Sequence, residues 1–184
     1  MAKQLLGKLL VSEIGGRRTS GRIVETEAYL PQNDSACHAF KHRTARTEVM
    51  FGPAGFAYVY PIHAKHCFNI VTESTERGCA VLIRALEPVE GIPLMQSRRG
   101  QEQATRLTTG PACLCQAMGI DRAHNQTNLT LGETIWLEPG IGLPKSADII
   151  GTSVRIGVTS AKSKLLRFYI SGNQFVSGPS KMRV

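Results

Sequence analysis

The chain has 184 residues, of which 42% are hydrophobic and 20% charged, which predicts one folded domain over residues 1–184 and excludes disorder as its main state. Its 22 lysine and arginine residues outnumber 14 acidic residues for a net charge of +8, which indicates a polyanionic partner because basic side chains neutralise phosphates. No apolar run approaches the roughly 18 residues of a membrane helix and residues 1–11 lack the form of a secretory signal, so we expect a cytoplasmic protein without a membrane partner, nucleoid-associated if bacterial.

The predicted elements form an α+β domain with a mixed, largely antiparallel and curved sheet flanked by helices. Apolar periodicity and turn residues place helices over residues 2–11, 88–99 and 112–118. Alternating or continuous apolar runs place strands over residues 22–29, 56–62, 67–72, 79–86, 134–137, 153–158 and 166–170. Residues 63–66 are expected to join the second and third of these strands as a hairpin loop.

Basic residues are concentrated in two stretches. From Pro139 onward the only acid is Asp148, and the basic residues there are Lys145, Arg155, Lys162, Lys164, Arg167, Lys181 and Arg183. A second group without an acid is Lys41, His42, Arg43 and Arg46. Both a nucleic-acid-binding surface and a solvated basic surface that only aids solubility would account for this pattern.

The number and spacing of the cysteines argue against a disulfide-linked or zinc-bound fold. The five cysteines, at positions 37, 67, 79, 113 and 115, are odd in number, and no C-x-x-C pair has a matching partner. We therefore expect neither a disulfide framework nor a four-cysteine zinc site.

The strand predicted over residues 22–29 carries two carboxylates on one face. Alternate side chains of a strand point the same way, so Glu25, Glu27 and Tyr29 lie together. Buried carboxylates are costly unless they are paired. One interpretation is an ion-pair ladder with arginines on a solvated face, and the other is a reactive carboxylate beside an aromatic ring.

Aromatic rings recur on the next predicted strand. Phe56, Tyr58 and Tyr60 share a face, and stacked rings can hold an extruded base because every base has a π-face. We expect Phe56 and Tyr58 to lie in a plain aromatic core, whereas Tyr60, beside the hairpin, is the better ligand contact. With Tyr29 and Tyr60, His38 would supply a third flat ring that also carries a hydrogen-bond donor.

A series of motifs runs through nearly the whole chain. In order they are I-V-E-T-E-A-Y at 23–29, His38, T-A-R at 44–46 with Met50-Phe51, A-Y-V-Y at 57–60, Asn69, V-L-I-R-A-L-E-P at 81–88, G-P-A-C-L-C-Q-A at 110–117 and L-R-F-Y at 166–169. Motifs of this length in this order are specific. By them the chain resembles the alkyladenine (3-methyladenine) DNA glycosylase family.

The resemblance implies a DNA-repair enzyme that flips a damaged purine out of double-stranded DNA and hydrolyses its N-glycosidic bond. Its substrates would be alkylated or deaminated purines of the 3-methyladenine, 7-methylguanine, hypoxanthine and ethenoadenine class. Glu27 would be the general base that activates water, and Arg84 would stand behind that water and the phosphate. The base pocket would consist of Tyr29, His38, Tyr60 and Asn69, the asparagine being the residue that excludes the amino group of guanine.

The resemblance also implies that the hairpin between the two strands enters the DNA minor groove and fills the gap in the base stack. Many family members have Tyr-Gly-Met at its tip, where this chain has His63-Ala64-Lys65, so His63 is the first candidate for the inserted side chain and Ile62 the second. Contacts to the DNA are further expected from the basic residues Lys65, Arg43, Arg46, Arg155 and Lys164.

Two further departures concern single positions. Cys113 stands where a lysine is common in the family, which would remove one phosphate contact. Ala45 replaces the proline that usually follows the threonine of the basic loop.

The implied chemistry suits these residue types. A carboxylate can accept a proton from water and stabilise oxocarbenium-like charge on the sugar. Alkylation at N3 or N7 makes the base cationic, and an aromatic cage attracts a cation by about 0.5–2 kcal/mol per contact. No lysine adjoins Glu27 to form a Schiff base, so we predict a monofunctional glycosylase without lyase activity. The scheme requires neither metal nor cofactor, and a monomer is the simplest expectation.

Two alternatives remain open from the sequence. A non-catalytic single-stranded nucleic-acid binding module could use Tyr58 and Tyr60 as a stacking platform. A zinc-dependent hydrolase could use His38, His63, His66 and Cys67, although H-x-x-H-C on a hairpin is weak support for a metal site.

Overall fold

The computed structural model describes residues 1–140 and 149–179, and its centre is a curled antiparallel sheet. Within these ranges the strands are β1 (Leu9–Ile14), β2 (Arg17–Tyr29), β3 (Ala57–Ile62), β4 (Lys65–Val71), β5 (Ala80–Glu90), β6 (Ile135–Glu138), β7 (Ile150–Ser153) and β8 (Arg167–Ile170). The main path of the sheet has the order β3-β4-β5-β2-β1-β6, while β8 pairs with both β2 and β7.

Strand β2 is the longest of these strands and positions the site. Along one edge it pairs with β5, and along the other it pairs first with β1 and then with β8. The β1–β2 hairpin turns at Gly15 and Gly16, whose φ angles of 60° and 67° suit a tight two-residue turn. The pairing of β2 with β5 shifts register on both sides of Glu25, so the strand is irregular where its carboxylates begin.

Among the residues that the structure describes, three short α-helices lie outside the sheet: α1 (Ala2–Leu5), α2 (Ile92–Arg99) and α3 (Pro111–Met118). Helix α3 has the proline in its first turn and the left-handed closing residue Gly119 that the sequence predicts. It packs on β4 and β5 and buries Leu114 and Met118 completely in the main core.

A second, smaller core lies under the long loop between β2 and β3. Its buried members include Cys37, Met50, Tyr58, Val71 and Ala80, and the loop contains a 3₁₀ turn over Glu48–Phe51. This cluster holds the loop against the ends of β3, β4 and β5, where the candidate site is found.

Several predicted bounds are wrong. The helix expected over residues 2–11 ends at Leu5, because Gly7 turns the chain with φ of 83° and the following residues pair with β2. Pro88 lies inside β5, and α2 begins only after Gly91, with Pro93 in its first turn. The strand expected over residues 153–158 leaves the sheet after Ser153.

The hairpin of β3 and β4 is confirmed, with a shorter loop than expected. Ile62 pairs directly with Lys65, so only His63 and Ala64 form the turn, with φ angles of 45° and 60°. Among the basic residues of the C-terminal stretch, Lys145, Lys181 and Arg183 lie outside the described residues, as does the acid Asp148. In the part of the chain that the structure describes, no helix is long and apolar enough to cross a membrane.

Candidate active site

A cavity of about 390 Å³ opens where β2, β3 and β4 meet the long loop. Four of the residues predicted for a base pocket, Tyr29, His38, Tyr60 and Asn69, line it together. The remaining wall comes from Ser35, Ala36, Cys37, Arg46, Met50, Tyr58, Pro61, Ile62, Ala80 and residues 157–160.

The carboxylate of Glu27 lies behind Tyr29 and is not part of the cavity wall. Its side chain is fully buried, and the hydroxyl of Tyr29 donates a 2.8 Å hydrogen bond to Oε2. The backbone N–H of Ile156 donates to Oε1 over 2.8 Å, and Nη1 of Arg84 lies 3.3 Å from the same oxygen. Both carboxylate oxygens are therefore held in place, and Tyr29 connects them to the cavity.

Tyr29 is held from two directions. Its hydroxyl is fixed by Glu27, while the guanidinium of Arg155 packs 4.6 Å from its ring centroid. Burial, followed by the charge of Glu27, raises the pKa of the Tyr29 phenol well above its ordinary value, so the hydroxyl stays protonated and can donate.

The other rings of the predicted cage form a cluster with Tyr58. His38 lies 4.7 Å from Tyr60 between centroids in an edge-on arrangement, and its Nδ1 shares a 2.9 Å hydrogen bond with the Tyr58 hydroxyl. Burial and the nearby charge of Arg46 lower the pKa of His38, so its ring is neutral at neutral pH. Burial also raises the pKa of Tyr60, whose hydroxyl contacts Cys67. Tyr58 is thus buried as predicted, but it also lines the cavity.

Asn69 is buried at the cavity wall with its amide orientation fixed. Its Nδ2 donates a 3.0 Å hydrogen bond to the carbonyl oxygen of Tyr58 on the neighbouring strand. One amide hydrogen is therefore used by the protein, which leaves the carbonyl oxygen and the second hydrogen for a ligand.

Arg84 joins the two carboxylates of β2 in the interior. Its Nε donates to Oε1 of Glu25 over 3.0 Å, while Nη1 approaches Glu27. Burial alone would lower the pKa of Arg84, but Glu27 and Glu25 raise it, so the guanidinium stays charged. The ion-pair interpretation of Glu25 and Glu27 is thus correct for their pairing with arginine, although the pairs are buried instead of solvated.

The tip of the hairpin is exposed next to the cavity. Ile62 lines the cavity with 41% of its surface exposed, whereas His63 and Lys65 are exposed without lining it. Arg46 also lines the cavity, and its guanidinium lies 5.1 Å from the Tyr60 ring. Lys164 is half-buried in the segment between the cavity-lining residues 157–160 and β8.

Two basic residues expected to contact DNA have other partners. Arg155 is buried and forms two hydrogen bonds to Asp34, of 2.7 and 2.5 Å, so its guanidinium is paired with an interior carboxylate. Arg43 is exposed, but it is paired with Glu48 at 2.6 Å and with Glu76 at 3.1 Å, so acidic neighbours neutralise its charge.

Sequence reasoning missed Asp34 and the segment 157–160. Asp34 anchors the turn after Tyr29 by accepting a 2.9 Å hydrogen bond from the Leu30 N–H and by pairing with Arg155. An aspartate in a Pro-Gln-Asn-Asp turn indicates local hydrogen bonding, but no sequence signal gives its partner 121 positions away.

The structure does not assemble the alternative metal site. Among the residues it describes, no three histidine, cysteine, aspartate or glutamate side chains lie where they could share a metal ion. His38, His63, His66 and Cys67 therefore do not form a common ligand set.

Comparisons with known proteins are consistent along the chain. Residues 1–174 match the family described as methylpurine-DNA glycosylase. A protein of Myxococcus xanthus named "Putative 3-methyladenine DNA glycosylase" is 50% identical over 97% of this chain and 88% of its own length. Proteins of the same name from Chlorobaculum tepidum and Carboxydothermus hydrogenoformans are each 46% identical over 96% of this chain, and cover 84% and 92% of their own lengths.

Proposed function

The chain belongs to the methylpurine-DNA glycosylase family of DNA-repair proteins, and we propose that it flips damaged purines from double-stranded DNA into the cavity and hydrolyses their N-glycosidic bonds. In this proposal Glu27 activates the attacking water, and the products are a free base and an abasic site. One observation carries it: the fully buried carboxylate of Glu27 accepts a hydrogen bond from the hydroxyl of Tyr29, a residue that lines the cavity.

Glu27 is suited to act as a general base because it is pre-positioned. Tyr29, Ile156 and Arg84 hold it through short contacts, so little reorganisation is needed when charge develops on the sugar. A buried carboxylate also stabilises an oxocarbenium-like sugar more strongly than one in water. The family resemblance independently points to this residue.

The cavity is suited to a planar base. The rings of His38, Tyr58 and Tyr60 contact one another. In the described part of the chain the ring of Tyr29 stands apart from them, although it lines the same cavity. A purine between them would stack on aromatic rings, and Asn69 could read its edge through the carbonyl oxygen left free. We propose alkylated and deaminated purines, of the 3-methyladenine, 7-methylguanine, hypoxanthine and ethenoadenine class, as substrates.

The exposed hairpin tip would fill the space that the flipped nucleotide leaves. Ile62 is the better wedge on this geometry, since it is apolar, exposed and part of the cavity wall, whereas His63 does not line the cavity. Ile62→Ala should therefore weaken binding to lesion DNA more than His63→Ala does, as measured by fluorescence anisotropy. An equal or greater loss with His63→Ala would reverse the assignment.

The proposed enzyme acts as a monomer without lyase activity. The partners of Glu27 in the described part of the chain are a tyrosine, an arginine and a backbone amide, and none is an amine that could form a Schiff base with the sugar. Borohydride should therefore trap no covalent adduct with lesion DNA, and a trapped adduct would show a lyase.

The main test is single-turnover excision on duplex oligonucleotides that contain one 7-methylguanine, hypoxanthine or ethenoadenine. The wild type should generate alkali-sensitive abasic sites, and Glu27→Gln should bind the same duplex without cutting. Glu87→Gln is the matched control, because Glu87 is a partly buried ion-pair partner on the same pair of strands, away from the cavity. If the wild type binds DNA but releases no base, the proposed excision activity is wrong and the protein only binds DNA.

A further inference from the structure

Glu25 is a fully buried carboxylate that the proposed chemistry does not use. It accepts hydrogen bonds from Nε of Arg84 at 3.0 Å, Nε of Arg167 at 2.6 Å and the backbone N–H of Ser177 at 2.7 Å. The Ser177 hydroxyl adds a fourth contact at 3.0 Å, so strands β5 and β8 and the segment after β8 all converge on one carboxylate.

Glu25 supplies one of the two carboxylates that the described residues bring to this cluster. Two guanidiniums, of Arg84 and Arg167, face two carboxylates, of Glu25 and Glu27. Burial alone would raise the pKa of Glu25, but the charges of the two arginines and their hydrogen bonds lower it, so Glu25 stays ionised.

Arg84 is shared unequally between the carboxylates. It lies 3.0 Å from Glu25 and 3.3 Å from Glu27, and its Nη2 is anchored 3.3 Å from the Ser177 hydroxyl. A guanidinium binds a carboxylate best through two parallel hydrogen bonds. Without the charge of Glu25, Arg84 would turn to pair fully with Glu27 and draw it away from Tyr29 and Ile156.

We propose that Glu25 is a positioning residue for the glycosylase reaction: it holds Arg84 at the distance from Glu27 that leaves Glu27 free to take a proton from water. Ser177 completes the arrangement, which makes the segment after β8 part of the active-site scaffold. The inference rests on the proposed function of Glu27.

The test compares Glu25→Gln with wild type in single-turnover excision and in affinity for the same lesion duplex. Gln keeps the shape and one carbonyl acceptor but removes the charge. We expect the excision rate at saturating enzyme to fall about 10- to 100-fold, while the dissociation constant for lesion DNA changes little. Glu87→Gln, which removes a β2–β5 ion pair outside this cluster, is expected to keep both values.

Ser177→Ala is the milder second variant, because the N–H to Glu25 remains while the hydroxyl contacts to Glu25 and Arg84 are lost. Its excision rate should fall about two- to tenfold at unchanged affinity. If Glu25→Gln does not fold, this variant decides the question.

The outcomes separate the two proposals. A wild type without excision would overturn the proposed function and this inference with it. If the wild type is active and a folded Glu25→Gln variant cuts at the same rate, only the inference is overturned. The same holds if Glu25→Gln loses excision rate and DNA affinity in parallel, because a purely structural role predicts that result. After misfolding of Glu25→Gln, a Ser177→Ala variant with wild-type rate would also overturn it.

Discussion

Replacing Asp34 by alanine should destabilise the protein strongly, because it leaves the guanidinium of Arg155 buried without its counter-ion. Both side chains are fully buried, and the pair is joined by two short hydrogen bonds. Removing one partner of such a pair costs about 3–5 kcal/mol of unfolding free energy. Removing both leaves no orphaned charge, so Asp34→Ala combined with Arg155→Met should cost no more than either single change.

Urea unfolding of the four proteins of this double-mutant cycle measures the coupling directly. Costs below about 1 kcal/mol for the single variants would mean that the pair behaves as a solvated one and would refute the reasoning. Strictly additive costs would refute it as well. Because Arg155 packs on Tyr29 and its neighbour Ile156 bonds to Glu27, excision should also slow in the single variants under conditions where they remain folded.

The same pair predicts how stability depends on pH. Burial alone would raise the pKa of Asp34, but hydrogen bonds from Arg155 and the Leu30 N–H outweigh it and lower the pKa. Because the pKa is lower in the folded state, the pair stabilises the protein fully above the pKa of the unfolded chain, which is about 3.9. This stabilisation is lost as the pH falls through the pKa of the folded state. The unfolding free energy of the wild type should therefore drop more steeply below about pH 4 than that of Asp34→Asn. Equal slopes in acid urea titrations would contradict this.

Tyr29→Phe keeps the cage ring but removes the donor to Glu27, so single-turnover excision should slow by about tenfold with affinity for lesion DNA little changed. A wild-type rate would show that the hydroxyl does not orient the carboxylate. Gly151→Ala would place a Cβ 2.3 Å from the Tyr169 ring, so we expect the unfolding free energy to fall by about 1–3 kcal/mol in urea unfolding. An unchanged urea midpoint would mean that this contact relaxes. Arg46→Gln should reduce the slope of log affinity against log salt by about one in an anisotropy titration, and an unchanged slope would mean that Arg46 meets no phosphate.

Strand β2 could be recognised from the sequence because its information is local. Period-two alternation alone groups Glu25, Glu27 and Tyr29, and the structure keeps the last two within hydrogen-bond distance. What the carboxylates bind is not local, since the arginines that pair with Glu25 lie 59 and 142 positions away. The motif resemblance gave Arg84 an expected role, whereas Arg167, although part of the L-R-F-Y motif, had no indicated partner.

Counting charge along the chain could not give the partner of Arg155 for the same reason. A basic residue in an acid-poor stretch resembles a phosphate contact until its partner, Asp34, is known from the fold. The N-terminal helix is a different error, because the sequence contains a signal for a turn: two consecutive glycines, Gly15 and Gly16, follow the apolar run over residues 9–11 and favour a tight hairpin turn. Weighed against a weak helical pattern, that turn would have placed β1 where the structure has it.

The placement of charge separates DNA binding from chemistry. In the interior, Arg84 and Arg167 are paired with Glu25 and Glu27, so carboxylates inside the protein oppose their charges. The excess positive charge lies instead on accessible side chains such as Lys65, which are free to release counterions from DNA. Changes at that surface should therefore alter affinity and its salt dependence while a bound lesion is cut at the same rate. Changes inside the cluster that keep its charges, such as Ser177→Ala, should do the reverse, because they would move the carboxylate proposed to take the proton while the accessible charge stays the same.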